Sequence, residues 1–234
     1  VGGIIADLWG YRMPFFFYAA STFVSLVACL LLVKEPASTH KVENESGLGV
    51  DMGRFLGFLT FPVLIAAFTN FTNHVRFSAR AVLIPLFGSD VLGLTAGEIG
   101  LVLSASTLAN VLMVVPAGFI VDKYGRKAGL IPSFILTGLV FVLFPLSTDF
   151  TSMVLIATML GVASGMGGGA TMAVAADLSK EGYRGFFLGF WNTVGDLGNA
   201  IGPVFMGIIA DLHGLMMPFY ATAALMLFTA GTTR

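Results

Sequence analysis

"GIIADLWGYRMPF" occupies residues 3–15, and "GIIADLHGLMMPF" occupies residues 207–219. Extended to residues 19 and 223, the two stretches match at 11 of 17 positions, with an offset of 204 residues. The matches include residues that shape turns and helix ends, namely Asp7/Asp211, Gly10/Gly214 and Pro14/Pro218. Because glycine and proline each favour particular backbone conformations, the pattern predicts one structural unit that occurs twice in the chain.

The composition of the chain is strongly apolar. Of its 234 residues, 56% are hydrophobic and 11% are charged, and the mean hydropathy is +0.91. Soluble domains carry about 25% charged residues. A soluble core of this length could not cover so much apolar surface, so the excess is expected to face lipid. The net charge of −1 provides no electrostatic basis for nucleic-acid binding.

Successive apolar stretches predict an all-α integral membrane protein. A bilayer-spanning helix needs about 17–25 apolar residues, and seven stretches are at least this long: 13–33, 57–87, 97–121, 128–147, 152–176, 185–209 and 215–231. Residues 1–6 would be the end of one further, partial helix, and the polar segment 34–55 would be a linker. The stretch 57–87 exceeds the requirement, so its helix must tilt, break or project from the membrane.

The distribution of basic residues predicts the orientation of these spans. If each span crosses the bilayer once, nine Lys and Arg residues fall on one side and only Arg12 falls on the other. The nine are Lys34, Lys41, Arg54, Lys123, Arg126, Lys127, Lys180, Arg184 and Arg234. Because basic residues accumulate in cytoplasmic loops, we expect the linker and the C-terminus in the cytoplasm, and the chain in a plasma or inner membrane.

The repeat has a definite place among these spans. Each copy leads from the last turn of one helix, through an outer loop, into the next helix at a Met-Pro pair. Six spans separate the copies, so both units have the same orientation. Parallel repeats of six helices resemble the plan of major facilitator transporters. The resemblance divides the chain into the end of a first bundle (1–33), a cytoplasmic linker (34–55) and a second six-helix bundle (56–234). It implies an N-terminally truncated fragment that lacks four helices.

A loop motif strengthens the resemblance. Residues 118–127 read "GFIVDKYGRK", which is similar to the facilitator motif G-x-x-x-D-[RK]-x-G-[RK]-[RK]. The matching residues are Gly118, Asp122, Lys123, Gly125, Arg126 and Lys127. Gly125 would permit a tight turn with positive φ. In the family this loop pairs charges between helices and steadies the outward-facing state. The alternative is a turn whose basic side chains only reach the membrane surface.

A second motif points to one branch of that family. Residues 198–207 read "GNAIGPVFMG", which resembles the glycine-proline motif of proton-coupled antiporters. The residues that carry it are Gly198, Gly202, Pro203 and Gly207. The resemblance implies the drug:proton antiporter branch. The alternative is purely structural, because glycines four apart let helices pack closely and proline bends a helix.

One span has a small residue at every fourth position, in the order Ala157, Gly161, Gly165, Gly169 and Ala173. Positions four apart lie on one face of a helix. Small residues on that face predict close packing against a neighbouring helix.

Polar residues within the spans are candidates for a solute or ion pathway, because each costs a few kcal/mol in hydrocarbon. The 57–87 span carries a polar and aromatic stripe with two arginines beside it. The stripe comprises Asn70, Asn73, His74 and Phe77, and the arginines are Arg76 and Arg80. We expect this helix to line the pathway. Arg80 could instead reach the membrane surface, and His74 could be an ordinary hydrogen-bonding histidine rather than a proton carrier.

The 185–209 span carries a second polar set, Asn192, Asp196 and Asn199. Asp196 lies near the middle of the span. A carboxylate at this depth can alternate between protonated and ionised forms, as proton coupling requires. The alternative is a structural ion pair, for which Arg76 is the candidate partner.

These features predict secondary active transport of a small solute by alternating access, coupled to protons in the manner of an efflux antiporter. Two alternatives remain: a passive facilitator or symporter for sugars or organic anions, and a truncated membrane protein that acts as a scaffold. The expected partners are the lipid bilayer, the solute, a proton and the absent N-terminal helices. No segment has metal-ligand spacing or a nucleophile with a histidine and an acid, so we expect no enzyme activity and no cofactor.

Overall fold

The computed structural model describes residues 2–32, 60–179 and 184–233, which are helical and contain no strand. The helices are α1 (Gly2–Trp9), α2 (Met13–Leu32), α3 (Phe61–Asp90), α4 (Ala96–Tyr124), α5 (Arg126–Leu143), α6 (Phe150–Leu178), α7 (Arg184–His213) and α8 (Met217–Thr232). A 3-10 turn, Phe144–Leu146, extends α5. The prediction of an all-helical bundle is confirmed. The predicted linker 34–55 lies outside the described residues.

Five helices are long and apolar enough to cross a membrane by length and composition. They are α2, α4, α5 with its 3-10 extension, α6 and α7. The other two predicted spans, α3 and α8, are not among these five helices. Helix α8 has only 16 residues, and α3 carries arginine and asparagine near its middle. The 30 residues of α3 form one continuous helix of about 45 Å, so of the three alternatives of tilting, breaking or projecting from the membrane, the break does not occur.

Helices α3 to α8 pack into one bundle, in which α4 lies along α6, α3 along α7, and α5 against both α6 and α8. Four phenylalanines form an aromatic cluster where α3 and α5 end and α8 begins. The rings of Phe144 and Phe219 stack at 5.2 Å, and Phe87 meets Phe219 edge-on at 5.6 Å. Phe141 completes the cluster, and all four side chains are fully buried. Such aromatic pairs add stability beyond the area they bury.

The predicted small-residue face of α6 is the surface that packs on α4. A Cβ at Gly161 would overlap the backbone carbonyl of Ser106, and a Cβ at Gly165 would overlap that of Asn110. Ala157 is also fully buried. At Gly169 a Cβ would meet nothing within 4 Å, so the close contact ends before this residue. The prediction of close packing is confirmed for the first three positions.

Both copies of the repeat adopt the same turn. Gly10 has φ of 85° and Gly214 has φ of 87°, a region that side-chain-bearing residues rarely adopt. Each glycine donates its amide to an alanine carbonyl four residues earlier, at 2.9 Å in the first copy and 2.8 Å in the second. Each then accepts from a methionine amide, at 3.2 and 3.1 Å. The predicted recurrence of one structural unit is confirmed.

The first copy also attaches α1 to the bundle at the start of α4. The Gly97 amide donates to Asp7 Oδ2 at 2.7 Å. One turn earlier on α1, Gly3 approaches the carbonyl of Ala96 so closely that a Cβ would overlap it. The next helix, α2, packs mainly on α1. The described end of the predicted first bundle therefore contacts the second bundle through α1.

Candidate functional site

The two faces of α7 have different surroundings. On one face, three glycines contact α3: a Cβ at Gly195 would overlap the ring of His74, one at Gly198 would come within 2.5 Å of the Phe71 carbonyl, and one at Gly202 would overlap the Ser78 hydroxyl. These contacts support the structural interpretation of Gly198 and Gly202. Small residues allow this approach because they remove side-chain volume from the interface.

The remaining residues of the glycine-proline motif have other surroundings. Pro203 lies inside α7, which continues as a helix through it to His213. A Cβ at Gly207 would meet nothing within 4 Å, and Gly207 is exposed. Only the first two glycines of the motif are therefore part of the contact with α3.

A second face of α7, centred about 90° around the helix from the glycine face, is polar and uncovered. Asn192, Asp196 and Asn199 are spaced at i, i+4 and i+7, and all three are exposed. Asp196 makes no hydrogen bond or ion pair with any residue in the described part of the chain. Apolar residues flank the three, with Leu197 50% exposed and Ile201 39% exposed. A polar stripe on an otherwise apolar helix needs water or a protein partner in a membrane.

Arg76 lies inside the bundle. It is 2% exposed, and its guanidinium donates to Ser133 Oγ at 3.1 Å, to Thr137 Oγ1 at 3.4 Å and to Asn73 Oδ1. It also lies 5.3 Å from the ring centroid of Phe77, where a cation interacts favourably with the π-electrons. Arg76 is therefore held by neutral groups on α3 and α5.

The ion pair considered between Arg76 and Asp196 is not formed. Arg76 has no carboxylate within 4 Å among the described residues. Asp196 projects from the exposed face of α7, whereas Arg76 is enclosed by the bundle. The alternative interpretation of Asp196 as the partner of Arg76 is therefore wrong.

The predicted stripe on α3 is divided between two environments. Asn70 and Asn73 are buried, and Asn70 Nδ2 donates to the Trp191 carbonyl at 2.8 Å. His74 Nδ1 lies 3.0 Å from the Asn70 carbonyl, a contact that supports the hydrogen-bonding interpretation of this histidine. Phe77 is 42% exposed. The four residues therefore do not line a common surface.

Arg80 contacts α4. Its Nη2 donates to Thr107 Oγ1 at 2.8 Å and lies 3.5 Å from the Leu103 carbonyl. The guanidinium thereby joins α3 to α4.

The loop motif joins three helices at one end of the bundle. Gly125 has φ of 90°, as predicted, and links α4 to α5. Arg126 Nε donates to Asp177 Oδ2 on α6 at 3.0 Å, and Arg126 Nη1 lies 3.6 Å from Asp122 Oδ1 on α4. This pairing of charges between helices is the arrangement implied by the family resemblance.

The other motif residues lie around this ion pair. Lys123 Nζ lies 5.2 Å from the ring centroid of Tyr124. Gly118 has nothing within 4 Å of the position of a Cβ. Lys127 is exposed and borders, with Arg126, a cavity of about 340 Å³ whose wall includes Trp191.

Several partners of the site residues were not identified from the sequence. Ser133 and Thr137 are four apart on α5, so their common face was visible, but their contact with α3 was not. The pairing of Arg126 with Asp177 likewise emerged only from the structure. Residues 51 to 61 positions apart in sequence meet at these contacts.

The sequence model of the Major Facilitator Superfamily matches residues 66–232 of the chain. Multidrug resistance protein 2 of Bacillus subtilis is 30% identical, with 99% of this chain and 58% of that protein aligned. Multidrug resistance protein MdtG of Escherichia coli is 27% identical, over 70% of this chain and 41% of that protein. An uncharacterised MFS-type transporter of Methanocaldococcus jannaschii is 26% identical, over 70% of this chain and 42% of that protein. The chain spans about half the length of these relatives.

Proposed function

Because this chain belongs to the major facilitator superfamily, we propose that it forms one wall of a transporter that moves a small solute across a membrane by alternating access, coupled to protons. The observation that carries the proposal is the uncovered polar face of α7, formed by Asn192, Asp196 and Asn199. In this arrangement a second bundle forms the opposite wall, and the solute site lies between the two, near the middle of the membrane.

The polar face of α7 would be costly to expose to lipid. A charged side chain facing hydrocarbon costs at least about 2.5 kcal/mol, so such groups face cavities or partners. Asp196 is exposed in the bundle and lies about midway along α7. A water-filled cavity between two bundles would remove the cost. The glycine face of α7 is meanwhile fixed on α3, which sets the direction of the polar face.

Asp196 is the proposed proton carrier. It has no cation or hydrogen-bond donor among the described residues, so its carboxylate is available to bind a proton or a cationic solute in turn. Competition between a proton and a solute for one carboxylate is a direct basis for antiport. The multidrug resistance proteins among the relatives favour efflux as the direction and drug-like small molecules as the solutes.

Arg76 has a structural role in this proposal. The side chain is 2% exposed, and its hydrogen bonds to Ser133 and Thr137 join α3 to α5. This burial counts against the alternative in which Arg76 binds an anionic solute. Removing the guanidinium would leave the buried Asn73 Oδ1 without its donor, so substitution of Arg76 is expected to impair folding rather than alter solute selectivity.

The Arg126–Asp177 pair is the proposed stabiliser of the cytoplasmic gate. It holds the start of α5 to the end of α6, while Asp122 on α4 lies 3.6 Å from the same guanidinium. Three helix ends are thus tied together next to the Gly125 turn. Because the pair is exposed, its contribution is expected to weaken as ionic strength rises.

The proposal is tested by Asp196→Asn in the full-length protein, reconstituted in vesicles with an imposed pH gradient. We expect gradient-driven uptake or efflux of a cationic dye to fall at least tenfold, while downhill exchange of the dye persists. Asp90→Asn is the matched control, since Asp90 is an exposed carboxylate at the end of α3 and outside the proposed pathway. Gradient-driven transport by Asp196→Asn at an unchanged rate would overturn Asp196 as the proton carrier. Transport by the unsubstituted protein that does not depend on the pH gradient would contradict proton coupling and favour a passive facilitator.

A further inference from the structure

The cavity beside Arg126 lies between the helices, at the end of the bundle that we expect in the cytoplasm. Its volume is about 340 Å³, and residues of α3, α5, α6, α7 and α8 line it. On α3 the lining residues run from Phe61 to Thr69, so the cavity extends about 12 Å along that helix. Pockets that bind drug-sized molecules measure about 300–1,000 Å³. This space, termed the five-helix cavity below, therefore has room for one narrow molecule.

The walls of the five-helix cavity are mainly apolar. Ile65, Leu130 and Val174 are among the side chains that line it. The hydroxyls of Thr69 and Thr171 also border it, but each donates to a backbone carbonyl of its own helix, at 2.8 and 3.0 Å. Moving apolar surface from water to apolar walls is favourable in proportion to the area removed from water. The walls therefore suit an alkyl chain.

One buried donor in the wall has no protein partner. Trp191 is 4% exposed, and the ring of Phe187 stacks against its ring at 6.1 Å. Trp191 Nε1 donates to no residue within 2–32, 60–179 and 184–233. A buried indole N–H usually has an acceptor. The wall therefore favours a ligand that brings a hydrogen-bond acceptor into the cavity.

The border of the cavity is cationic. Arg126 and Lys127 lie on it, and none of the described residues that line the cavity is acidic. Arg126 uses Nε to bind Asp177, and its Nη1 lies 3.6 Å from Asp122, while Nη2 donates to none of the described residues. Because a guanidinium has five N–H donors, Arg126 can bind a further carboxylate. The charge of the border favours an anion over the cationic solutes proposed for the polar face of α7.

We propose that the five-helix cavity binds a fatty acid anion, with the carboxylate between Arg126 and Trp191 and the alkyl chain against the apolar walls. A carboxylate has two oxygens, so it can accept from both side chains. The cavity has room for one chain, which favours a single-chain molecule over a two-chain phospholipid.

This site is separate from the proposed transport site. Trp191 shares the α7 face of Gly195 and Gly198, at i, i+4 and i+7, and that face packs on α3. The fatty acid would also share Arg126 with Asp177, so occupancy of the cavity would weaken the proposed gate pair. The proposal therefore adds a second ligand, which regulates the gate rather than being transported.

The test is quenching of tryptophan fluorescence in the full-length protein, in lipid nanodiscs and without a pH gradient. The probe is dodecanoate with a bromine atom beside its carboxyl group, because bromine quenches an indole that it touches. Unbrominated dodecanoate is the competitor, which separates bound probe from probe dissolved in the lipid. Trp191→Phe identifies the signal of Trp191, since other tryptophans such as Trp9 remain. We expect saturable quenching that dodecanoate reverses and that Trp191→Phe lacks. Quenching without a saturable part that depends on Trp191 would overturn the proposal.

Competitors with the same chain test the charge of the ligand. Dodecanol has a neutral head group and dodecyltrimethylammonium a cationic one, and each should compete at least tenfold less strongly than dodecanoate. Equal competition by dodecanol would mean that the cavity binds alkyl chains without reading their charge. Equal or stronger competition by the cation would mean that it binds cationic solutes. Either result would contradict the proposal.

Two variants separate the cation from its ion pair. Arg126→Gln should weaken probe binding at least tenfold. Asp177→Asn is the matched control, because it breaks the same ion pair and retains the guanidinium, and it should bind the probe at least as tightly as the unsubstituted protein. Equal weakening in both variants would show that the ion pair only shapes the cavity, and the proposed contact with Arg126 would be wrong.

A further pair of variants tests the location without changing charge. Ala66 lines the cavity, so Ala66→Phe should fill it and abolish the saturable quenching. Ala176→Phe, at an exposed position of α6 that is not among the lining residues, should retain it. Unchanged quenching in Ala66→Phe would refute the site. Asp196→Asn should leave probe binding unchanged, so the vesicle assay and this assay can fail independently.

Discussion

The first copy of the repeat ends α1 with Gly10 at φ of 85°, and the second copy ends α7 with Gly214 at φ of 87°. The hydrogen bonds around the two glycines agree to within 0.1 Å. The two copies differ in the burial and the contacts of their side chains. Phe219 of the second copy is fully buried in the aromatic cluster, whereas its counterpart Phe15 is 76% exposed. Asp7 of the first copy caps α4, whereas Asp211 has no hydrogen bond or ion pair with any of the described residues.

The comparison separates local from tertiary effects. The shared turn follows from the shared Gly and Pro residues, which act on the backbone directly. The different burial follows from the neighbours: the second copy leads into α8, which packs on α5, and the first leads into α2, which packs mainly on α1. Two copies of a similar sequence can therefore have the same turn conformation and very different contributions to stability.

The largest expected effect separates the two phenylalanines. Phe219→Ala should lower the free energy of unfolding by about 3–5 kcal/mol, because it removes a ring from the centre of the buried cluster. Phe15→Ala should change it by less than about 0.5 kcal/mol, because an exposed ring leaves no cavity. Thermal unfolding of both variants in detergent micelles measures the difference. Equal destabilisation would mean that Phe15 is also buried in the folded protein.

An intermediate effect separates the two turn glycines. Gly10→Ala and Gly214→Ala each force a side chain into a positive φ, at a local cost of about 1–2 kcal/mol. Only Gly214→Ala should lower the midpoint of global unfolding, since α8 is part of the bundle. Gly10→Ala should instead increase hydrogen exchange in α1 and α2. A lowered global midpoint for both variants would contradict the separate packing of α2.

The smallest expected effect concerns the two aspartates. Asp7→Asn removes a negative charge from the start of α4 and should weaken the cap by about 0.3–1 kcal/mol. The protection of the Gly97 amide from hydrogen exchange should then fall about two- to fivefold, with Asp211→Asn as the control that leaves it unchanged. Equal loss of protection in both variants would show that the effect is not carried by the Asp7 contact.

Much of the fold was predictable because it depends on local sequence. Apolar runs of sufficient length predicted the helices, and the small residues at Ala157, Gly161 and Gly165 predicted the close face between α6 and α4. Gly125 predicted a turn with positive φ. The candidate site was less predictable, because helical spacing shows which residues share a face but not what that face contacts. The spacing on α3 grouped Asn70 and Asn73 with Phe77, and packing of α3 against several neighbours separated them.

The sequence by itself determined the membrane character, the helices, the family and the repeated turn, because these follow from apolar run length, from residue spacing and from backbone preferences. Only the tertiary structure decided how the polar groups are used. Arg76 donates hydrogen bonds to Ser133 and Thr137 rather than pairing with Asp196, and Asp196 remains on an uncovered face. The physical reason is that burial and hydrogen bonding depend on neighbours distant in sequence, and the same "GIIAD" segment is a cap on α4 in one copy and an open surface in the other.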